Sequence, residues 1–197
     1  GQVHLLVNNA GVAVAVGPSW MIGEADWRWT IDVNLFGPVN VLRCFLPRMI
    51  EGGGPGWVIN IASLSGLLPT PGAAPYSASK AALLTLSEAL SLELKQAGAL
   101  IGVTIACPAA VATSIASSLR PSSPDAEGAV QTSASALACG MAPEEAARRI
   151  LAAVEDGRFS LFTHTGSEAV VAERNRRMLE GIDPVLPDWG VVSPSGE

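Results

Sequence analysis

The 197-residue sequence predicts an α/β domain, a doubly wound parallel sheet with helices on both faces, and three observations predict it. Short continuous apolar runs recur, "VHLLV" from Val3 to Val7, "WVINIAS" from Trp57 to Ser63, "IGVTIACP" from Ile101 to Pro108 and, more weakly, "FSLFT" from Phe159 to Thr163. Runs of this kind belong to strands buried on both faces. Helical stretches lie between them, as right-handed crossovers between parallel strands require. The composition agrees, with 49% apolar and 15% charged residues and a mean hydropathy of +0.36. No apolar run approaches the roughly 20 residues of a membrane-crossing helix. The excess apolar surface is therefore expected inside one domain.

In chain order, the first run ends at "NNAG" (Asn8 to Gly11), a strand-end turn of small residues. A helix is predicted from Glu24 to Glu51, with Asn34 in its apolar middle as a kink or a satisfied polar group. A second helix, Ala74 to Ala97, is apolar nearly all round through Ala81, Leu83, Leu84, Leu86, Leu90, Leu92 and Leu94, which asks for burial on two sides. A third, Pro143 to Asp156, starts with proline and Glu144 and Glu145 at its positive end and stops before Gly157. Its apolar stripe is read as Ala147, Ile150, Leu151 and Val154. A last helix, Ser167 to Glu180, precedes a Pro/Gly/Ser-rich tail, 182–197, expected to be loose.

Two features break this order. Residues 109–142 are rich in Ser, Ala and Pro without clear periodicity, and follow a strand's carboxyl end, where such sheets bind ligands. They are expected to be a mobile substrate-binding loop. The run at residue 3 reads as a central strand with nothing before it to cover its other edge. No glycine-rich strand-turn-helix of the dinucleotide type is present at the start. The sequence therefore reads as the C-terminal portion of a larger domain, one lacking its first βα units.

The net charge of −6 and the absence of Lys/Arg clusters argue against nucleic acid or an anionic membrane as partner. Cys44, Cys107 and Cys139 form no CxxC pair, and no signal peptide is recognised, so the thiols are expected reduced and the protein cytoplasmic. His4 and His164 lack metal-ligand spacing, so no metal site is expected.

Tyr76 is the sole tyrosine, and Lys80 follows at i+4, on the same helix face. A nearby ammonium favours the phenolate and lowers the phenol's pKa from about 10 toward the range of a general acid/base. A surface tyrosine with a solvated lysine is the commoner meaning of such a pair. Ser63, at the end of the "WVINIAS" run, shifts the balance, because a strand end and a helix start can bring its hydroxyl beside the phenol. Its plain alternative is a turn cap.

The segments "NNAG", "DVNLFG", "INIASLSG", "YSASKAAL" and "PAAVATSI" occur in this order between His4 and about Gly157. Together they resemble the short-chain dehydrogenase/reductase family, in its shorter single-domain branch. The resemblance implies a Rossmann-like three-layer α/β/α fold, NAD or NADP as cofactor, and hydride exchange between a secondary alcohol and a ketone. Tyr76 would be the acid/base, Lys80 its tuner and the holder of the nicotinamide ribose, and Ser63 the hydrogen-bond partner of the substrate oxygen. Asn34 would bind, through its backbone, a water that relays protons to Lys80. Asn9, Ala10 and Gly11 would line the adenosine side of the cofactor, and Val111 and Thr113 would meet the nicotinamide carboxamide. Ala109 stands where the family usually has glycine. Similar proteins pair their two long helices with a partner's, so a homodimer or homotetramer is implied, with Trp27, Trp29, Phe36 and Phe45 in core and interface. Leu67, Leu68, Ala109, Ile115, Leu119 and Met141 point to a partly apolar pocket for a small-molecule alcohol or ketone.

By the same analogy the family's front portion, about 80–90 residues in three βα units, would carry the phosphate loop and the choice between NAD and NADP. The alternative reading is a catalytically silent fragment or dimerising module of this fold that binds no cofactor. The longer epimerase/dehydratase branch shares the Tyr/Lys pair, but "NNAG", the Asn34 motif and the short end after Phe159 disfavour it.

Overall fold

A computed structural model describes residues 1–13, 15–68, 70–123 and 126–194. The chain runs through β1 (Leu5–Asn8), β2 (Ala15–Val16), α1 (Glu24–Ile31), a π-helical turn (Asp32–Phe36), α2 (Gly37–Glu51), β3 (Gly56–Ile61) and α3 (Ala74–Gln96). It continues through β4 (Ile101–Cys107), β5 (Arg120–Pro121), α4 (Glu127–Ala138), α5 (Pro143–Glu155), β6 (Ser160–Phe162) and α6 (Ser167–Leu179). The main sheet is parallel in the order β1-β3-β4-β6, with Leu6 opposite Val58, Asn60 opposite Ile105 and Cys107 opposite Phe162.

Successive strand residues face opposite sides of a sheet, so neighbours buried together mean cover on both faces. Val58 and Ile59, 0% and 1% exposed, show this in β3, and Ile105 and Ala106, 1% and 0%, show it in β4. The doubly wound expectation holds there. β1 differs: it is an edge strand among the described residues, with Leu6 buried but Leu5 and Val7 nearly half exposed. Inside the sheet, Asn8 donates to Asn60 at 2.8 Å and Asn60 donates to Ser87 at 2.8 Å, a buried polar ladder that joins β1, β3 and α3. Trp57 lies flat against β4, where a Cβ on Gly102 would sit 2.4 Å from its ring. Its indole N–H donates to Thr104 at 2.9 Å.

α3 opens with Pro75 in its first turn and closes at Gly98, whose φ of +65° lets Ala99 N–H reach back to Leu94 O at 3.0 Å. Its buried face is Ser79, Lys80, Leu83, Ser87, Leu90 and Leu94. Burying Leu83 completely contributes on the order of 1.5–3 kcal/mol. The second buried side expected of this helix is not formed among the described residues, where Leu92 and Thr85 are exposed.

Three expectations need correction. α5 packs through Ala146, Arg149, Ile150 and Ala153, while Ala147 and Leu151 are exposed; small residues let the helix approach the sheet closely, and the half-buried Arg149 donates to Thr163 O at 2.5 Å. Residues 109–142 are not aperiodic loop: they hold a 3₁₀ turn (Ser114–Ser118), β5 and the 12-residue α4. No residue of α4 is buried, and a helix with little core face leaves little periodic signal. The tail is docked as far as Pro194, through mutual backbone hydrogen bonds of Thr165 and Ser193 and through Arg149, which donates to Pro194 O at 2.9 Å. Residues 195–197 lie outside the described part.

Candidate active site

The carboxyl ends of β1, β3 and β4 meet the first two turns of α3. Ser63, two residues beyond β3, is extended with φ −168° and buried. Its Oγ accepts from Ser65 N–H at 3.1 Å and donates to Pro108 O at 3.4 Å, and it lies near enough to the Tyr76 phenol to lower its pKa. The cap and the functional contact therefore coexist in one side chain. Lys80, one turn after Tyr76 and only 3% exposed, donates from Nζ to Ile61 O at 2.8 Å and lies 5.7 Å from the Tyr76 ring centroid. The turn from Leu64 to Gly66 presses on α3 at this point, where a Cβ on Gly66 would sit 2.8 Å from the Lys80 carbonyl carbon.

Burial pushes the Tyr76 phenol above its ordinary value, and the Ser63 hydrogen bond opposes that shift. Burial also pulls Lys80 down from 10.5 to about 8, while Cys107, close beside it, acts to raise it. The sequence-based expectation of a lowered phenol pKa is thus corrected, because desolvation outweighs the opposing influence of Ser63. The Cys107 thiol is pushed up to about 12 by the same burial and stays protonated.

Asn34 is fully buried in the π-helical turn between α1 and α2, so kink and satisfied polar group are both realised. Its side chain accepts from Val12 N–H at 2.8 Å and donates to Val12 O at 2.9 Å and to Ser79 Oγ at 3.0 Å. Ser79 in turn donates to Tyr76 O at 2.7 Å. Asn34 thereby ties the loop after β1 to the helix that carries Tyr76. Sequence reasoning missed Ser79, although a serine three residues after a helical partner, bonding back to its carbonyl, is a known local pattern. It also missed the Ile61 carbonyl and Cys107, which only the packing of β3 and β4 against α3 reveals.

Asn9 and Ala10 are exposed at the mouth of the site, and Gly11 forms its floor. A Cβ on Gly11 would come within 3.3 Å of Lys80 Nζ and 3.4 Å of Asn34 Oδ1, so glycine keeps this cradle open. An exposed backbone turn over a buried lysine fits a cofactor with a sugar-phosphate spine. Val111 is half-buried and bridges to Met141; Thr113 is exposed and its Oγ accepts from Ile115 N–H at 3.4 Å, which caps the 3₁₀ turn after it. β5 pairs with β2, and Ser118 Oγ accepts from Ala13 N–H at 2.9 Å, so the segment after β4 passes in front of the loop after β1. Of the expected pocket residues, Leu68 and Met141 are core, 2% and 3% exposed.

Residues 1–124 match the family described as short chain dehydrogenase. The chain belongs to that family. Among similar short-chain dehydrogenases is a 1-deoxy-11-beta-hydroxypentalenate dehydrogenase of Streptomyces exfoliatus, 34% identical over all of this chain and 65% of the relative. A C alpha-dehydrogenase of Sphingobium is 31% identical over 95% of this chain and 64% of its own length. A short chain dehydrogenase/reductase from Burkholderia phymatum, solved in complex with NAD, superposes with a TM-score of 0.90 at 32% identity, covering 95% of this chain and 70% of that one. The chain thus spans about two thirds of the length of these relatives. Among the described residues no helix is long and apolar enough to cross a membrane, and no three His, Cys, Asp or Glu side chains converge as a metal set.

Proposed function

We propose that the protein is an NAD(P)-dependent oxidoreductase acting between a secondary alcohol and a ketone. The observation that carries this reading is the convergence of three side chains: the strand-end Ser63, near enough to the Tyr76 phenol to act on its acidity, and Lys80 one helical turn on, 5.7 Å from the Tyr76 ring centroid. A ketone oxygen placed between the two hydroxyls would accept a hydrogen bond from each. When bound, the nicotinamide supplies or takes up the hydride at the carbon. In the reducing direction Tyr76 O–H gives its proton to the developing alkoxide, and in the oxidising direction the phenolate takes it back. Ser63 steadies the same oxygen, and the Lys80 ammonium stabilises the phenolate. A phenol held protonated by burial is a competent acid for the reducing direction.

The cofactor would be held by Lys80, by the backbone of Asn9, Ala10 and Gly11, and by Val111 and Thr113. Asn34 supports this reading by fixing the loop after β1 against α3, and its backbone is the proposed anchor of the proton-relay water. The outer surfaces of α1, the π-helical turn, α2 and α3 expose Trp29, Phe36, Phe45 and Leu92, the last at 60%, which supports a homodimer or homotetramer. Residues 109–142 are proposed as the mobile part over a lipophilic small-molecule substrate, in a cytoplasmic enzyme. The test is oxidation of NADH and NADPH by the intact protein with a panel of apolar ketones. Absence of turnover across the panel with both cofactors would remove the reading.

A second reading applies to the 197 residues taken alone. The apolar surface left half-exposed at Leu5 and Val7 of β1 favours a dimerising module of this fold, which would bind no cofactor. Fluorescence titration of this polypeptide with NADH and NADPH decides between them, since tight binding contradicts silence.

A further inference from the structure

Beyond the residues that act on substrate, one buried titratable group has no part in the chemistry above. His164, two residues past β6, is 4% exposed, and every polar atom of its ring is engaged. Nε2 lies 3.1 Å from Ala110 O, Nδ1 lies 2.8 Å from Thr163 Oγ1, and Ala109 N–H donates to Nδ1 at 3.4 Å. A carbonyl only accepts, so the hydrogen sits on Nε2 and Nδ1 is the acceptor, the neutral form. Burial and the nearby Arg149 hold the ring below its ordinary pKa, in keeping with that form.

Two of the three ring contacts of His164, with Ala109 N–H and Ala110 O, fall on the backbone that leaves β4. Ala110 O also accepts from Met141 N–H at 2.9 Å, and Ala112 N–H donates to Met141 O at 2.9 Å. Val111 is therefore held between contacts to His164 and Met141, and Thr113 follows directly after the clamped stretch. One residue earlier, Pro108 O accepts from Leu64 N–H at 2.9 Å and from Ser63 Oγ. The imidazole thus holds a segment that touches the proposed catalytic serine at one end and carries the proposed nicotinamide contacts at the other. It is anchored from behind, because Ser167 donates to His164 O at 2.8 Å and Arg149 donates to Thr163 O.

We infer that His164 is a positioning residue, fixing the backbone from Ala109 to Thr113 in the shape that receives the nicotinamide end of the cofactor. This rests on the oxidoreductase reading, and its test separates the two. Hydrogen exchange of the intact protein is compared for the parent, His164→Phe and His164→Gln, alongside kcat and KM for NADH and NADPH. Loss of a hydrogen bond of ordinary net strength corresponds to roughly tenfold faster exchange. His164→Phe is expected to speed exchange about that much in 109–113 while β3 and β4 are unchanged, and to raise cofactor KM by a similar factor with kcat changed much less. Glutamine can still donate to Ala110 O and should restore most of both effects.

Unchanged exchange in 109–113 overturns the clamp, whatever the activity. Faster exchange with unaltered cofactor KM overturns the positioning role and leaves the oxidoreductase reading standing. A parent that turns over neither cofactor overturns that reading and the cofactor half of this inference, while exchange still judges the clamp. If the phenylalanine ring loosens the whole sheet, His164→Asn, too short to reach Ala110 O, must reproduce the local change or the inference fails.

Discussion

The two sides of the site are built differently. On one side, β3 and the first turns of α3 carry Ser63, Tyr76 and Lys80, and each side chain there has at least one partner from a different element. On the other, the segment beyond Thr113 folds outward into a 3₁₀ turn, a two-residue strand and α4, none of whose residues is fully buried. The first side depends on buried polar groups that are costly to leave unpaired, and so it is fixed. Beyond Thr113 the second side has no fully buried residue in its 3₁₀ turn or in α4, and so its sequence and position have room to vary. Proton transfer needs the former, and selection among substrates suits the latter.

The sharpest way to break this contrast is Asn34→Leu. It orphans Val12 N–H, Val12 O and a Ser79 contact, at roughly 1–3 kcal/mol for each buried partner. A total loss of about 3–5 kcal/mol in unfolding free energy is expected on that basis, together with loss of turnover. Denaturant titration measures it. A loss below about 1 kcal/mol would show that the loop after β1 is held by something else.

Cysteine labelling sharpens the comparison without mutation. Cys107 lies under Lys80 with its thiol pushed up to about 12, whereas Cys139, just past α4, is exposed. Iodoacetamide on the native protein should modify Cys139 and Cys44 readily and Cys107 only on unfolding. Equal labelling of all three would mean that the region under Lys80 opens freely.

A pH experiment reads the burial of Lys80 directly. Its folded pKa of about 8 lies below the ordinary 10.5, so between those values the unfolded chain holds the extra proton. Stability contributed by this group therefore rises with pH across that window, by up to about 1.4 kcal/mol per unit. The slope difference between the parent and Lys80→Met, from pH 8 to 10, should carry that sign. The smallest effect is expected on the far side of the comparison. Ala136→Lys in exposed α4 should stay within about 0.5 kcal/mol of the parent.

The same contrast decides what was legible in the sequence. Val58, Ile59, Ile105 and Ala106 are buried on both faces and read as continuous apolar runs, so β3 and β4 were found to within two residues. α3 was found because Pro75 and Gly98 punctuate it. Ser63, Tyr76 and Lys80 were legible from spacing and family resemblance, and the structure brings all three together. α4 was missed because its packed face, Val130, Ser133, Ala134 and Leu137, is only half-buried and two of those four residues are small. The stripe of α5 was misjudged because alanines and the stem of Arg149, not the larger Leu151, pack inward. The sign of the Tyr76 shift was unreadable, since burial is a property of the folded surroundings and not of a YxxxK spacing.

The most direct test of the central claim is Tyr76→Phe in the intact protein, with turnover and cofactor binding measured on the same sample. The phenyl ring keeps the packing and removes only the hydroxyl. The predicted result is a fall in kcat of about 10²–10⁴-fold with cofactor affinity within a few-fold of the parent. Turnover near the parent level would contradict the assignment of Tyr76 as the proton donor, and with it the proposed chemistry of this site.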